Sequence, residues 1–133
     1  MDIATIPDDF LPLFTSKAFA HMATVMADGS PHLTPMWVDY VDGRILVNTT
    51  KGRVKERNLR RNPMVTLDIQ DPENPYRYIT VRGSAESISE EGAVEHINKL
   101  AKRYMDLDEY PYLKPGDVRM IVTIVPERVF TLG

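Results

Sequence analysis

The sequence predicts an α+β, mainly β fold: a small barrel of about six antiparallel strands with two or three helices at its ends. Three observations carry this expectation. Segments of strand length recur along the chain, the Asp28-Gly29 and Asp42-Gly43 pairs stand between them as hairpin signals, and only two or three segments read as helix. With 133 residues, 43% of them apolar, the chain fits one domain over 1–133 with an ordinary core.

Residues 7–16, PDDFLPLFTS, open on Pro7 and two acids, as helix starts do, and carry Phe10, Leu11, Leu13 and Phe14. They predict a short capping helix, interrupted or begun again at Pro12. AFAHMATVMA is the first strand and ends in a two-residue turn at Asp28-Gly29. The return strand is PHLTPMWVDYV, and Asp42-Gly43 turns it into RILVNTT, which gives a three-strand meander. Pro35 removes a ladder donor in mid-strand and argues for an edge, a bulge or a groove. Alternation sets Leu33, Pro35 and Trp37 on one side and His32, Thr34, Met36, Val38 and Tyr40 on the other, so one face is a candidate ligand floor. Taken singly, Met36 and Trp37 fit a packed core as well.

Beyond Pro63, MVTLDIQ is the fourth strand, DPENPY a loop fixed by two prolines, and YRYITVRGSAESI the fifth strand, with Gly83 as a bend or bulge. Ser89 is expected to cap a helix with Glu90 and Glu91 in its first turn and a stripe of Val94, Ile97, Leu100, Ala101 and Tyr104. The loop DLDEYPYLKPGD leads to the last strand, VRMIVTIVPERVFTL, with a kink at Pro126.

Charge is distributed unevenly. Thr49 to Pro63, TTKGRVKERNLRRNP, holds six basic side chains and one acid, Glu56, whereas the rest of this net −3 chain has ten Lys and Arg against eighteen Asp and Glu. A basic cluster on an acidic body points to an anionic partner. RILVNTT reads as strand, Gly52 breaks it, and RVKERNLRR reads as helix until Asn62, where Pro63 disfavours the helical conformation. Thr49 and Thr50 offer hydroxyls, Gly52 lets backbone approach closely, and free N–H groups at the helix start join Arg53 and Lys55 around one point suited to a phosphate. The plainer alternative is a solvated helix face carrying Arg53, Arg57 and Arg60, with Val54 and Leu59 as its apolar contacts. The segment matches no Walker loop.

The absence of cysteine excludes disulfides, thiolate metal sites and cysteine nucleophiles. His21, His32 and His96 lie on separate elements without a ligand spacing, so no metal site is predicted. Asp8-Asp9 and Glu90-Glu91 fall at helix starts, there is no GxSxG, and no catalytic side chain is nominated. Such a chain fits chemistry performed by a bound cofactor. No leader pattern and no apolar run near ~20 residues appears, so the expectation is a soluble cytoplasmic protein without a membrane partner. The arginines are not interleaved with aromatics, which argues against nucleic acid.

The stretch FAHMATVMADGSPHLTPMWVDYVDGRILVNTTKGRVKERNLRRNP, followed by YRYITVRGSAES and PERVFTLG, resembles the pyridoxamine 5'-phosphate oxidase-like split-barrel superfamily. Its GRxKxRNLRRNP portion is similar to the branch of oxidoreductases that use the deazaflavin coenzyme F420. The resemblance implies an FMN-binding-like split barrel that forms a homodimer with two cofactor clefts at the subunit interface. It implies that Arg53 and Lys55 hold a cofactor phosphate, with Asn48, Thr49, Thr50 and Gly52 beside it and Thr34, Pro35 and Met36 along the ring system. Lys51, Arg57 and Arg60 would meet the lactyl-glutamate tail of the deazaflavin, since fixed cations suit a polyanion. Tyr78 would wall the cleft. The implied activity is hydride transfer from reduced F420 to an unsaturated small molecule. An FMN-dependent enzyme and a cofactor-binding protein without turnover stay open as alternatives.

Overall fold

Seven strands form one antiparallel sheet in the computed structural model, which describes residues 3–133. They are β1 (Ala20–Val25), β2 (Pro31–Met36), β3 (Asp39–Val41), β4 (Arg44–Thr50), β5 (Met64–Asp71), β6 (Asn74–Ser89) and β7 (Arg119–Leu132). Three helices accompany them: α1 (Leu11–Thr15), preceded by a single 3-10 turn at Asp8–Phe10, α2 (Val54–Arg61) and α3 (Ala93–Met105). The strand order is β2-β1-β5-β6-β7-β4-β3, so the two edge strands are consecutive in the chain.

That order corrects the expected meander. Residues 31–41 are two strands: β2 pairs β1 from Val25↔Pro31 to Ala20↔Met36, and β3 pairs β4 at the opposite edge of the sheet. Trp37 and Val38 carry the chain across. The reason is where their backbone finds partners. The Val38 N–H donates to the Tyr104 hydroxyl (3.1 Å) and the Val38 carbonyl accepts from Arg103 Nη1 (2.8 Å), so side chains of α3 replace a ladder there. Pro35, opposite His21 on an edge strand, needs no second neighbour.

Turn chemistry sets the remaining bounds. Asp42 and Gly43 (φ 50° and 80°) form the two-residue hairpin expected of them. Asp28 and Gly29 instead belong to a three-residue loop closed by the Met26 N–H on the Ser30 carbonyl (2.8 Å), with Gly29 left-handed at φ 87°. DPENPY is no loop: Pro72 and Glu73 make the turn between Asp71↔Asn74, the Asp71 carboxylate accepts from the Glu73 N–H, and β6 starts at once. Gly83 and Pro126 face each other at one bulge, where Arg82 pairs Arg128 and Glu127 is the extra residue. A Cβ on Gly83 would run into the Val125 carbonyl oxygen. Ser89 ends β6 rather than capping α3; its hydroxyl accepts from the Glu91 N–H, and left-handed Gly92 (φ 72°) starts the helix. The buried face of α3 is Ala93, His96, Ile97, Leu100 and Ala101, whereas Val94 is 49% exposed and off the stripe.

Phe10, Leu13 and Phe14 close one end of a core formed by Met22, Val47, Leu67, Ile79, Val81, Val122 and Ile124 among others. No helix among the described residues is long and apolar enough to cross a membrane.

Candidate functional site

The sheet is split beside β4. β3 accompanies β4 only as far as Asp39↔Leu46, while β4 continues to Thr50 with β7 on its other side. The edge from Val47 to Thr50 therefore has no strand beside it among the described residues. A cleft of about 240 Å³ opens there, between Pro35, Met36 and Trp37 on one side and Asn48 and Thr49 on the other. Arg53 and Lys55 enter it from the start of α2, Ile97 and Leu100 from α3, and Tyr110, Tyr112 and Arg119 from the segment that leads into β7.

Lys55 is 8% exposed, and no acid or hydrogen-bond acceptor meets its ammonium among the described residues. Burial pushes its pKa down, and the charges of Arg53 and Arg119 push the same way. Arg119 is 5% exposed; burial lowers its pKa first, and Arg53 again adds repulsion. The buried Thr49 hydroxyl has no partner, and neither has that of Thr34 or the Nδ1 of His32. Buried polar atoms are normally paired, so the orphaned Thr49 hydroxyl beside Lys55, which has no acceptor, and Arg119, which has no acid, leaves donors that an acceptor in the cleft can meet.

One wall is aromatic. The Trp37 ring stacks on Tyr104 (centroids 5.1 Å apart, 6° between planes), Tyr110 meets Trp37 edge-on (5.8 Å), and Arg119 lies over the Tyr110 ring at 5.1 Å.

Behind α3 lies a second group of charges. The Asp39 carboxylate, 1% exposed, accepts from Arg103 Nη2 (2.7 Å), Lys99 Nζ (2.9 Å), His96 Nε2 (3.2 Å) and the Tyr40 N–H (2.9 Å). Burial pushes this carboxyl up, but hydrogen bonds from His96, Arg103 and Lys99 outweigh it and hold the group well below the usual carboxylate range. With Nε2–H given to Asp39, His96 Nδ1 accepts from Asn48 Nδ2 (3.2 Å), which also donates to the Ala93 carbonyl (2.9 Å). Asn48 Oδ1 then accepts from Arg119 Nε (2.9 Å).

The structure thus brings six of the expected residues to the cleft: Arg53, Lys55, Asn48, Thr49, Pro35 and Met36. The others lie outside its lining. The Thr50 hydroxyl accepts from Arg119 Nη1 (2.8 Å), Gly52 makes the left-handed turn (φ 92°), and Thr34 lies on β2 one residue before the lining begins. Lys51 and Arg57 are exposed, while Arg60 is tied through Nε to buried Glu56. Tyr78 sits in β6 between Gln70 and Leu132. The N–H groups expected free at the helix start are partly taken: that of Gly52 by Glu56 Oε1 (2.7 Å) and that of Arg53 by the Thr50 carbonyl (3.1 Å). Arg119, Tyr110, Tyr112, Trp37 and Phe19 were not nominated from sequence. The signal for Arg119 was a cation at the start of a strand whose next residues, Met120 to Val125, are apolar but for Thr123.

The pyridoxamine 5'-phosphate oxidase family model matches residues 6–133. Among solved structures, an F420 reductase is 32% identical, with a TM-score of 0.82 over 94% of this chain and 98% of its own. A conserved hypothetical protein from Mycobacterium tuberculosis is 29% identical, with a TM-score of 0.74 over 98% of this chain and 86% of its own. The general stress protein 26 of Bacillus anthracis, at 24% identity and a TM-score of 0.67 over 90% and 88%, shares the fold.

Proposed function

The chain belongs to the pyridoxamine 5'-phosphate oxidase family, and from that premise we propose that it is an oxidoreductase that binds coenzyme F420 in the cleft beside β4 and reduces an unsaturated small molecule. The observation that carries this reading is Lys55: a side chain only 8% exposed and without an acid, next to Arg53 and to the orphaned Thr49 hydroxyl, at the mouth of a split in the sheet. An anion meets the needs of Lys55 and Thr49 at once and lies within the reach of Arg53. When bound, the reduced deazaflavin supplies the hydride. The chain's residues bind and shape: Arg53 and Lys55 take the phosphate, the Thr49 hydroxyl donates to an acceptor, Pro35 and Met36 form a wall that leaves room for a flat ring, and Trp37 and Tyr110 exclude water. Similarity to an F420 reductase supports the choice of cofactor.

A second reading, with FMN in the same cleft, is favoured by one observation. Arg60 is held by Glu56, so one of the three cations counted toward the deazaflavin tail is already paired. A homodimer also belongs to the proposal: edge strand β2 carries Leu33 at 63% exposure beside a cleft that one chain leaves open. Sedimentation should give twice 15.2 kDa, and a stable monomer that binds cofactor would sink the dimer.

The test is a pair of spectroscopic titrations, one with F420 and one with FMN, followed by turnover of reduced cofactor with an unsaturated acceptor. Tighter F420 binding with turnover supports the proposal. Tighter FMN binding promotes the second reading, and binding without turnover makes the protein a cofactor carrier.

A further inference from the structure

Arg119 is nearly buried and still has no carboxylate. Its two directed bonds go to neutral acceptors, Nε to Asn48 Oδ1 and Nη1 to Thr50 Oγ1, and Tyr110 covers its face. Arginines this buried are ordinarily paired with an acid. The acid that influences it, Asp117, instead accepts from the Lys114 N–H. A guanidinium has five N–H donors; with Asn48, Thr50 and Tyr110 counted, two remain uncommitted on a side chain that lines the cleft.

The register Thr50↔Arg119 sets this residue beside the strand end that leads into Arg53, and Arg53, Lys55 and Arg119 all line the one cleft. Its aim is fixed from behind. An Asn amide can present either end, and a flipped Asn48 would turn its own N–H groups on Arg119 Nε. His96 Nδ1 and the Ala93 carbonyl hold the NH₂ end toward α3, and Asp39 holds the His96 tautomer.

We infer that Arg119 is a third cation of the phosphate site, contacting the anionic end of the bound cofactor, and that Asn48 and His96 are positioning residues that aim it from Asp39. The inference rests on the cleft being a phosphate site. It separates this site from one built for a lone carboxylate most clearly for FMN, whose terminal phosphate offers three anionic oxygens to three fixed cations, where the internal phosphodiester of F420 offers two.

The test compares FMN against riboflavin, which differ only by the phosphate, and in parallel F420 against the deazaflavin alcohol, which lacks both the phosphate and the lactyl-glutamate tail. Each dissociation constant is measured by fluorescence for the parent, Arg53→Ala, Arg119→Met, Asn48→Ala and His96→Ala. The parent should prefer the phosphorylated member of a pair. Arg119→Met should cut that preference about tenfold to a hundredfold, the size of a lost charged hydrogen bond, and leave the phosphate-free ligand unchanged. Asn48→Ala and His96→Ala should cut it a few-fold. If Arg119→Met does not fold, Arg119→Gln, which keeps a donor for Asn48 but no charge, takes its place with the same expectation.

Loss of preference in Arg53→Ala but not in the Arg119 variants overturns the role of Arg119 and leaves the phosphate site standing. Equal weakening of both ligands in the Arg119 variants makes Arg119 a scaffold residue and also overturns it. Parent-like preference in Asn48→Ala and His96→Ala overturns the positioning half. A parent that does not discriminate within either pair removes the phosphate site itself.

Discussion

Two groups of charge, each centred on buried side chains, stand back to back in this molecule with Asn48 between them, and they are built on opposite rules. Around Asp39, a carboxylate at the heart of the α3 interface is ringed by Arg103, Lys99 and His96, and both carboxylate oxygens and both ring nitrogens of His96 have partners. Around the cleft, Arg53, Lys55 and Arg119 converge with no acid among them. Burial alone therefore does not tell a structural charge from a functional one; the presence or absence of its counter-ion does. The first group holds α3 and the β2–β3 crossover together. On the proposed reading, the second raises the free energy of the empty protein and returns it when an anion binds.

Breaking the first group should have the largest effect. Asp39→Ala leaves three cationic or donor side chains facing an apolar gap, and removing one partner of a buried ion pair costs about 3 to 5 kcal/mol. Chemical denaturation should register this, and a variant within about 1 kcal/mol of the parent would show that the cluster is not cohesive. The pH dependence has a definite sign. The folded pKa of Asp39 lies below its unfolded value near 3.8, so its stabilisation is complete above about pH 5 and is lost as pH falls through the folded pKa. Asp39→Asn should flatten the acid limb of the stability curve and leave the neutral limb level.

What the sequence disclosed and what it withheld follow the same division between local and long-range effects. Strands, the basic segment and the Asp42-Gly43 hairpin are written in neighbouring residues, and Gly83 and Pro126 were each identifiable as irregular. Their meeting at one bulge was not, because it depends on the β6–β7 register. The crossing at Trp37-Val38 was hidden because its partners, Arg103 and Tyr104, lie in α3. In the cleft, Arg53 and Lys55 stood out by their clustering, whereas Arg119 reaches Asn48 and Thr50 only through the β4–β7 pairing. Glu56, an acid in a basic run, was visible from the start, but its capture of Arg60 and of the Gly52 N–H depends on how α2 is seated.

Breaking the second group should leave the fold and weaken the ligand. Arg53→Ala and Lys55→Ala should each lower affinity for F420 or FMN by about 1.5 to 3 kcal/mol per charged hydrogen bond removed, read by titration of the dissociation constant. Parent-like binding by both would place the phosphate elsewhere.

The sharper form of the comparison concerns stability without ligand. Replacing a member of the satisfied group must destabilise, but replacing Lys55 removes a charge on a largely buried side chain that has no acid beside it. Lys55→Met, of similar length, should raise the stability of the empty protein by about 0.5 to 2 kcal/mol while cofactor binding falls, the trade-off expected of a binding residue. Linkage gives the same sign: the folded pKa of Lys55 is depressed, so its charge costs stability at neutral pH, and the cost fades as pH rises toward the unfolded value near 10.5. Thermal melts of cofactor-free protein at pH 7 decide it. A Lys55→Met variant less stable than the parent would mean that Lys55 has a structural partner after all.

The smallest effect concerns choice between cofactors, and there the pairing of Arg60 changes what is expected. FMN ends at its phosphate, whereas the deazaflavin continues through a lactyl group into a glutamate chain, so cations beyond the phosphate gain a partner only with the latter. Lys51 and Arg57 are exposed and hold no ion pair among the described residues; Arg60 already has Glu56. An exposed pair contributes only about 0.2 to 1 kcal/mol and is screened by salt. The double variant Lys51→Ala, Arg57→Ala should therefore narrow the preference for F420 over FMN by a few-fold at low salt and hardly at all at high salt. Arg60→Ala should leave that preference in place and instead loosen the start of α2, because Glu56 loses one of its two partners. A preference that is insensitive to salt and to the double variant would detach cofactor choice from these cations and move it to the ring end of the cleft, where Pro35, Met36 and Trp37 stand.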